Sequence, residues 1–153
     1  MAMISEKDRD FLKKTFGEMP GKTTAVVFTT DNGEAAAKAG RDECDYCKET
    51  KTLIGELSGI SDQLATEYYD IDGNADKAKE YKVDKVPTIV LLDTQGKDRG
   101  IRFYGFPGGY EFSTLVATIV DVSKGETKLS AETKAALATI TSPVNIDVFV
   151  TPT

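Results

Sequence analysis

Histidine is absent from this 153-residue chain, and cysteine occurs only twice. Without an imidazole to act as base, the Ser–His and Cys–His nucleophile schemes are excluded. Structural zinc asks for four Cys or His ligands, so two cysteines could complete a site only in a symmetric dimer contributing two from each chain. An excess of positive charge is missing as well. The formal net charge of −6 argues against nucleic acid or an anionic membrane as the main partner. No apolar run reaches the ~20 residues that span a bilayer; the longest, such as Val86-Pro87-Thr88-Ile89-Val90-Leu91-Leu92, are strand-sized. The opening Met1-Ala2-Met3-Ile4-Ser5-Glu6-Lys7-Asp8 is charged almost at once, unlike a secretory signal. What remains is an ordinary globular composition, 40% hydrophobic and 29% charged, long enough for one sizeable core and expected in a reducing cytoplasm.

The two cysteines stand together as Cys44-Asp45-Tyr46-Cys47. They follow a β-like run, Thr24 to Thr30, and lead into a helical pattern. A strand feeding a helix whose first turn carries C-x-x-C is where thiol–disulfide chemistry is built. The helix N-terminus supplies partial positive charge and N–H groups lacking intrahelical partners, which favours a thiolate over a thiol. The spacing lets the second sulfur reach back and close a disulfide with the first. In a reducing compartment such a lone pair is catalytic or metal-binding rather than structural. Cys44, nearer the helix start, is the expected attacking thiolate, and Cys47 the group that resolves the mixed disulfide. Glu43 and Asp45 flank Cys44 and oppose the helix dipole, which weakens thiolate stabilisation and predicts a reductant.

Around the motif the periodicities give a definite element order. Ser5 with Asp8 three residues on opens a helix that runs to about Phe16, and Met19-Pro20-Gly21 breaks it. Thr24–Thr30 reads as a buried strand, and Asp31–Glu43 as a long loop or partial helix. Tyr46 to Leu57 carries Leu53, Ile54 and Leu57 on one helical face. Glu67–Asp72 reads as a second strand, with Tyr68 and Tyr69 as core and face residues, and Asn74–Tyr81 as a short helix capped by Asn74. Thr88–Leu92, the turn Thr94–Lys97 and Ile101–Tyr104 form an antiparallel pair. Tyr110–Val122 is the next amphipathic helix. The order β-α-β-α-β-β-α behind an extra N-terminal helix predicts an α/β layer sandwich.

The remainder repeats the beginning. Ser130 opens another helix with Leu137 and Ile140, Pro143 breaks it, and Ile146–Thr151 reads as a strand in which Val148-Phe149 echoes Val27-Phe28. The expected organisation is therefore one complete unit, residues 1–125, followed by the helix and strand of a truncated second unit, residues 126–153. A final strand with no partner after it is an open edge, which either folds onto its own sheet or pairs with another chain, and the second outcome points to a homodimer.

Several stretches resemble the tandem-thioredoxin protein disulfide oxidoreductases, the glutaredoxin-like proteins best known from thermophilic archaea and bacteria. They are the C-x-Y-C motif Cys44-Asp45-Tyr46-Cys47, Val86-Pro87-Thr88 about forty residues on, and Arg102-Phe103-Tyr104-Gly105-Phe106-Pro107-Gly108-Gly109-Tyr110-Glu111-Phe112. Asp121-Val122-Ser123 and Val148-Phe149-Val150-Thr151-Pro152-Thr153 complete the likeness, the latter resembling the stretch that precedes such a family's second C-x-x-C. Glu43 stands where thioredoxins carry Trp, and no glutathione-binding signature follows Val86-Pro87.

The resemblance implies a thioredoxin-like fold, three α/β/α layers around a mixed four-stranded sheet. It implies a dithiol–disulfide oxidoreductase acting on protein disulfides, with the Cys44–Cys47 disulfide in place of any cofactor or metal and a thioredoxin-reductase-like flavoprotein as partner. It also implies a cis Pro87 beside the cysteines, freeing the Val86 backbone to pair with a substrate strand. Tyr46 is a substrate-groove residue or a cover for the helix start. Two other functions share the motif: an electron relay between a flavoprotein reductase and a peroxidase, and a non-catalytic scaffold.

Overall fold

A computed structural model describes residues 3–31, 33–40 and 42–149 of the chain. Helix α1 covers Glu6–Phe16, and its start is set locally: Ser5 Oγ accepts the Asp8 N–H at 3.2 Å and donates to the Asp8 carboxylate at 2.6 Å. Strand β1, Thr23–Thr29, follows the Pro20-Gly21 break and is buried at every position but Thr24. A short α2, Glu34–Lys38, forms within the stretch expected as loop or partial helix. Helix α3 spans Cys47–Ser58, β2 Leu64–Asp70 and α4 Ala75–Glu80. Strands β3, Thr88–Leu92, and β4, Asp98–Tyr104, flank a turn in which Gly96 adopts φ 73°, the left-handed region that glycine enters without penalty. Helix α5, Tyr110–Lys124, closes with Gly125 in the same region, its N–H bonded back to Asp121 and Val122 carbonyls.

The four strands form one mixed sheet in the order β2-β1-β3-β4, with β1 parallel to β2 and antiparallel to β3, and β3 antiparallel to β4. Alternation along β1 divides the core between the two faces. Ala25 and Val27 join Phe16, Ile54, Leu57 and Ile119 in the cluster under α1, α3 and α5. Val26 and Phe28 join Ile71, Ala78, Val83 and Val90 under α4 on the other face. This is the expected α/β/α layering. Both edge strands begin earlier than their apolar runs suggest, because Leu64 pairs with Thr23 and Asp98 with Leu92. The Asn74 expectation changes too. Asn74 sits at the N-cap of α4 without a capping side-chain bond, and its amide donates instead to the Asp70 carbonyl at 2.9 Å.

The N-terminal helix is latched to α3 by one carboxylate. Glu56 accepts the Met3 and Ile4 N–H groups at 2.9 and 3.1 Å and the Arg9 guanidinium at 3.1 Å. The Met3 N–H is the largest of the influences that hold the Glu56 carboxyl below its ordinary range.

Beyond α5 the packing stops. Helix α6, Ala131–Ala138, forms with a Ser130 cap, but from Lys124 to Phe149 every described residue is exposed. The strand expected at Ile146–Thr151 is not present in residues 146–149; the rest of it lies outside the described residues. A strand is stabilised by ladder bonds and cross-strand pairs, and among the described residues this segment has no neighbouring strand to supply them.

Candidate active site

The redox motif is held where β1 ends and α3 begins. The Thr30 N–H, just past β1, donates to Cys47 Sγ at 3.4 Å and ties the second cysteine to the end of the central strand. Cys44 and Cys47 form a disulfide, S–S 1.99 Å with the Cα atoms 5.6 Å apart. Cys47 is the first residue of α3 and only 3% exposed, whereas Cys44 is half-buried in the turn before it. Thiol–disulfide exchange needs access to the sulfur under attack. Cys44 is the accessible partner and Cys47 the protected one.

Charge is distributed unevenly around the pair. Asp42, Glu43 and Asp45 are all exposed on the chain leading to α3. Lys48 and Lys51 are exposed along α3 itself. Tyr46 occupies the N-cap position without a side-chain capping bond; it is 57% exposed and stacks on Phe106, ring centroids 6.1 Å apart. One face of the ring packs on Phe106 beside the start of α3 and the other is open to solvent.

The Val86–Pro87 bond is cis. Thr88 pairs with Phe28 on one side and Tyr104 on the other. The β1–β3 ladder ends at this Phe28–Thr88 pair, directly after Pro87, and from Phe28 the chain runs through Thr29 to Thr30, the residue that holds Cys47. The two motifs, far apart in sequence, thus meet at one end of the sheet. The Pro87 carbonyl accepts the Gly105 N–H at 2.9 Å. Val86 is half-buried against the α4-side core, and its backbone makes no hydrogen bond among the described residues.

Sequence reasoning missed a groove of about 400 Å³ on the β2 side of the disulfide. Thr30, Asp31, Lys48, Lys51, Tyr68 and Tyr69 line it together with both cysteines. The two tyrosines are core-supporting as expected, Tyr69 packing against Phe28 with ring centroids 5.6 Å apart. Their half-buried edges also wall the groove, and the Lys51 ammonium lies 5.4 Å from the Tyr68 ring centre. The one available signal was helical spacing: Cys47, Lys48 and Lys51 stand at i, i+1 and i+4 along α3.

No family model matches the chain. It is 32% identical over 92 residues to an alkyl hydroperoxide reductase component, AhpF, of Staphylococcus aureus, a match covering 60% of this chain and 15% of that protein. A protein disulfide oxidoreductase from Aeropyrum pernix superposes with a TM-score of 0.72 at 29% identity, covering 88% of this chain and 54% of that one. The NTD_N/C domain of alkylhydroperoxide reductase AhpF from Enterococcus faecalis gives 0.71 at 25% identity, over 86% and 58%. The chain thus spans about a sixth of the curated relatives it matches and little more than half of these solved chains. The fold is thioredoxin-like, and the resemblance to the disulfide oxidoreductases read from the motifs holds in three dimensions.

Proposed function

We propose that this chain is a dithiol–disulfide oxidoreductase acting on protein disulfides, with Cys44 as nucleophile and Cys47 as resolving thiol. The observation that carries it is the asymmetry of the pair: one sulfur accessible, the other buried and held by the Thr30 N–H. In the reducing direction the Cys44 thiolate attacks a substrate sulfur, forms a mixed disulfide and releases one substrate thiolate. Cys47 then attacks Cys44, closes the internal disulfide and releases the second; two electrons leave the pair and two protons end on the substrate thiols. Val86 and Pro87 are the substrate-strand residues of this reading, supported by the cis bond between them and by a Val86 backbone that makes no hydrogen bond among the described residues. Tyr46, stacked on Phe106, is the aromatic rim. A thioredoxin-reductase-like flavoprotein that recharges the pair, and a cytoplasmic setting, complete the proposal; among the described residues no helix is long and apolar enough to cross a membrane.

An equilibrium redox titration, quenched by alkylation and read by intact mass, tests it. A reversible two-electron couple between about −120 and −300 mV is expected. A pair that never interconverts removes the proposal. A second reading, an electron relay between a flavoprotein reductase and a peroxidase, is favoured by the likeness to the hydroperoxide reductase components. A relay works with one fixed partner, so broad activity on unrelated disulfides counts against it.

The division into a thioredoxin-like domain, 1–125, and the start of a second unit, 126–153, belongs to the same proposal. Its support is the complete loss of burial after Ser123, with Leu137, Ile140, Val148 and Phe149 all exposed. A homodimer that covers these side chains is the accompanying expectation, and light scattering that gives a strict monomer removes it.

A further inference from the structure

We propose that the groove beside the disulfide selects substrates carrying carboxylate side chains within a residue or two of the attacked cysteine. The inference rests on the disulfide-exchange reading and adds a substrate class to it. Lys48 and Lys51 stand on the same face of α3 as Cys47 and line the groove with both cysteines. Among the described residues neither lysine has an ion-pair partner, and Lys51 is steadied only by the Tyr68 ring.

The acidic residues that line the same groove are turned to internal work. Asp70 accepts the Asp72 and Gly73 N–H groups through Oδ1, at 3.1 and 2.7 Å, and the Asp31 N–H through Oδ2 at 3.1 Å. Asp31 in turn accepts the Gly33 N–H at 2.9 Å. Backbone donors thereby fix these two carboxylates in place with their charge intact, while among the described residues the two ammonium groups have no ion-pair partner and are left to meet a substrate. The groove also ends at β2, an outer strand of the sheet, so an extended peptide can enter without meeting another strand.

The preference runs against the bulk charge of −6 and against the exposed Asp42, Glu43 and Asp45 that flank Cys44 in the chain. That makes it a sharp test of local over global electrostatics. Two synthetic peptides would carry the same internal disulfide, flanked by glutamates in one and lysines in the other. The chain, reduced with dithiothreitol and desalted, is mixed with each peptide, and exchange is quenched by alkylation. Each rate is divided by that peptide's rate with free dithiothreitol, which removes its intrinsic reactivity.

The expected result is that Lys48→Gln with Lys51→Gln slows the glutamate peptide about tenfold while leaving the lysine peptide within about twofold. The Lys48→Arg, Lys51→Arg variant keeps the wild-type ratio, and salt near 1 M erases most of it. An unchanged glutamate-peptide rate in the Gln variant, or equal slowing of both peptides, overturns the proposal while disulfide exchange stands. No exchange with either peptide from a fully reduced wild-type chain removes both.

Discussion

Two regions of this molecule begin with the same local instructions and end in opposite states. Ser5 caps α1 through the Asp8 N–H at 3.2 Å, and Ser130 caps α6 through the Thr133 N–H at 3.1 Å. Each helix is followed by a proline and then a Val-Phe pair. In the first region Val27 and Phe28 are 0% exposed; in the second Val148 and Phe149 are 78% and 93% exposed. Helix caps work wherever they stand, since donor and acceptor lie within three residues of each other. A strand exists only beside another strand, and among the described residues the second Val-Phe pair has none.

The comparison can be broken most directly at the two phenylalanines. Phe28→Ala opens a cavity between β1, α4 and the Tyr69 and Tyr81 rings, and is expected to cost about 3–5 kcal/mol. Phe149→Ala is expected to stay within about 0.5 kcal/mol. Urea unfolding with the disulfide intact measures both, and a Phe149 effect as large as that of Phe28 would show that the second region is packed after all.

The next effect concerns how the N-terminal helix is held. Glu56→Gln keeps the shape but loses the charge that Met3, Ile4 and Arg9 address, and about 1–2 kcal/mol of stability is expected to go with it. The pH dependence follows from the sign of the shift. Because the folded Glu56 pKa lies below the ordinary value of 4.5, its contribution is complete above that value and is lost as pH falls through the lower, folded one. Stability of the wild type should therefore drop more steeply than that of the variant on acidification below about pH 4.5; parallel curves would show that the latch carries no such linkage.

Smaller still, Ser5→Ala should lower global stability by about 1 kcal/mol, because α1 is packed on the core through Leu12 and Phe16. Ser130→Ala should leave the unfolding midpoint unmoved and reduce only helicity by circular dichroism, since α6 buries nothing. Last, removing residues 129–153 should change the unfolding free energy of the remainder by less than about 0.5 kcal/mol and leave the redox potential of the cysteine pair unaltered. A large loss on removal would mean that the exposed region supports the domain.

Much of the fold was legible because its signals are local or periodic. The short apolar run of β1, the 3.6-residue pattern of α3 and α5 and the turn before β4 each appear within a dozen residues. The ends of β2 and β4 were not, because Leu64 and Asp98 become strand residues by pairing with Thr23 and Leu92. At the site, the motifs singled out Cys44, Cys47, Val86 and Pro87, and the structure joins the two cysteines in a disulfide and makes the Val86–Pro87 bond cis. Lys48, Lys51 and the groove-facing edges of Tyr68 and Tyr69 were not singled out, since β2 and α3 form a wall only once the sheet sets them side by side.

The amino-acid sequence by itself determined the chemistry available: two cysteines at disulfide spacing before a helix, no histidine, and helices started by serine caps. These are properties of bonds and of neighbours a few residues apart. The tertiary structure alone decided which sulfur is sheltered, which lysines share its groove and which Val-Phe pair becomes a strand. Each of those depends on burial and pairing between segments far apart in the chain, and no local pattern carries that information.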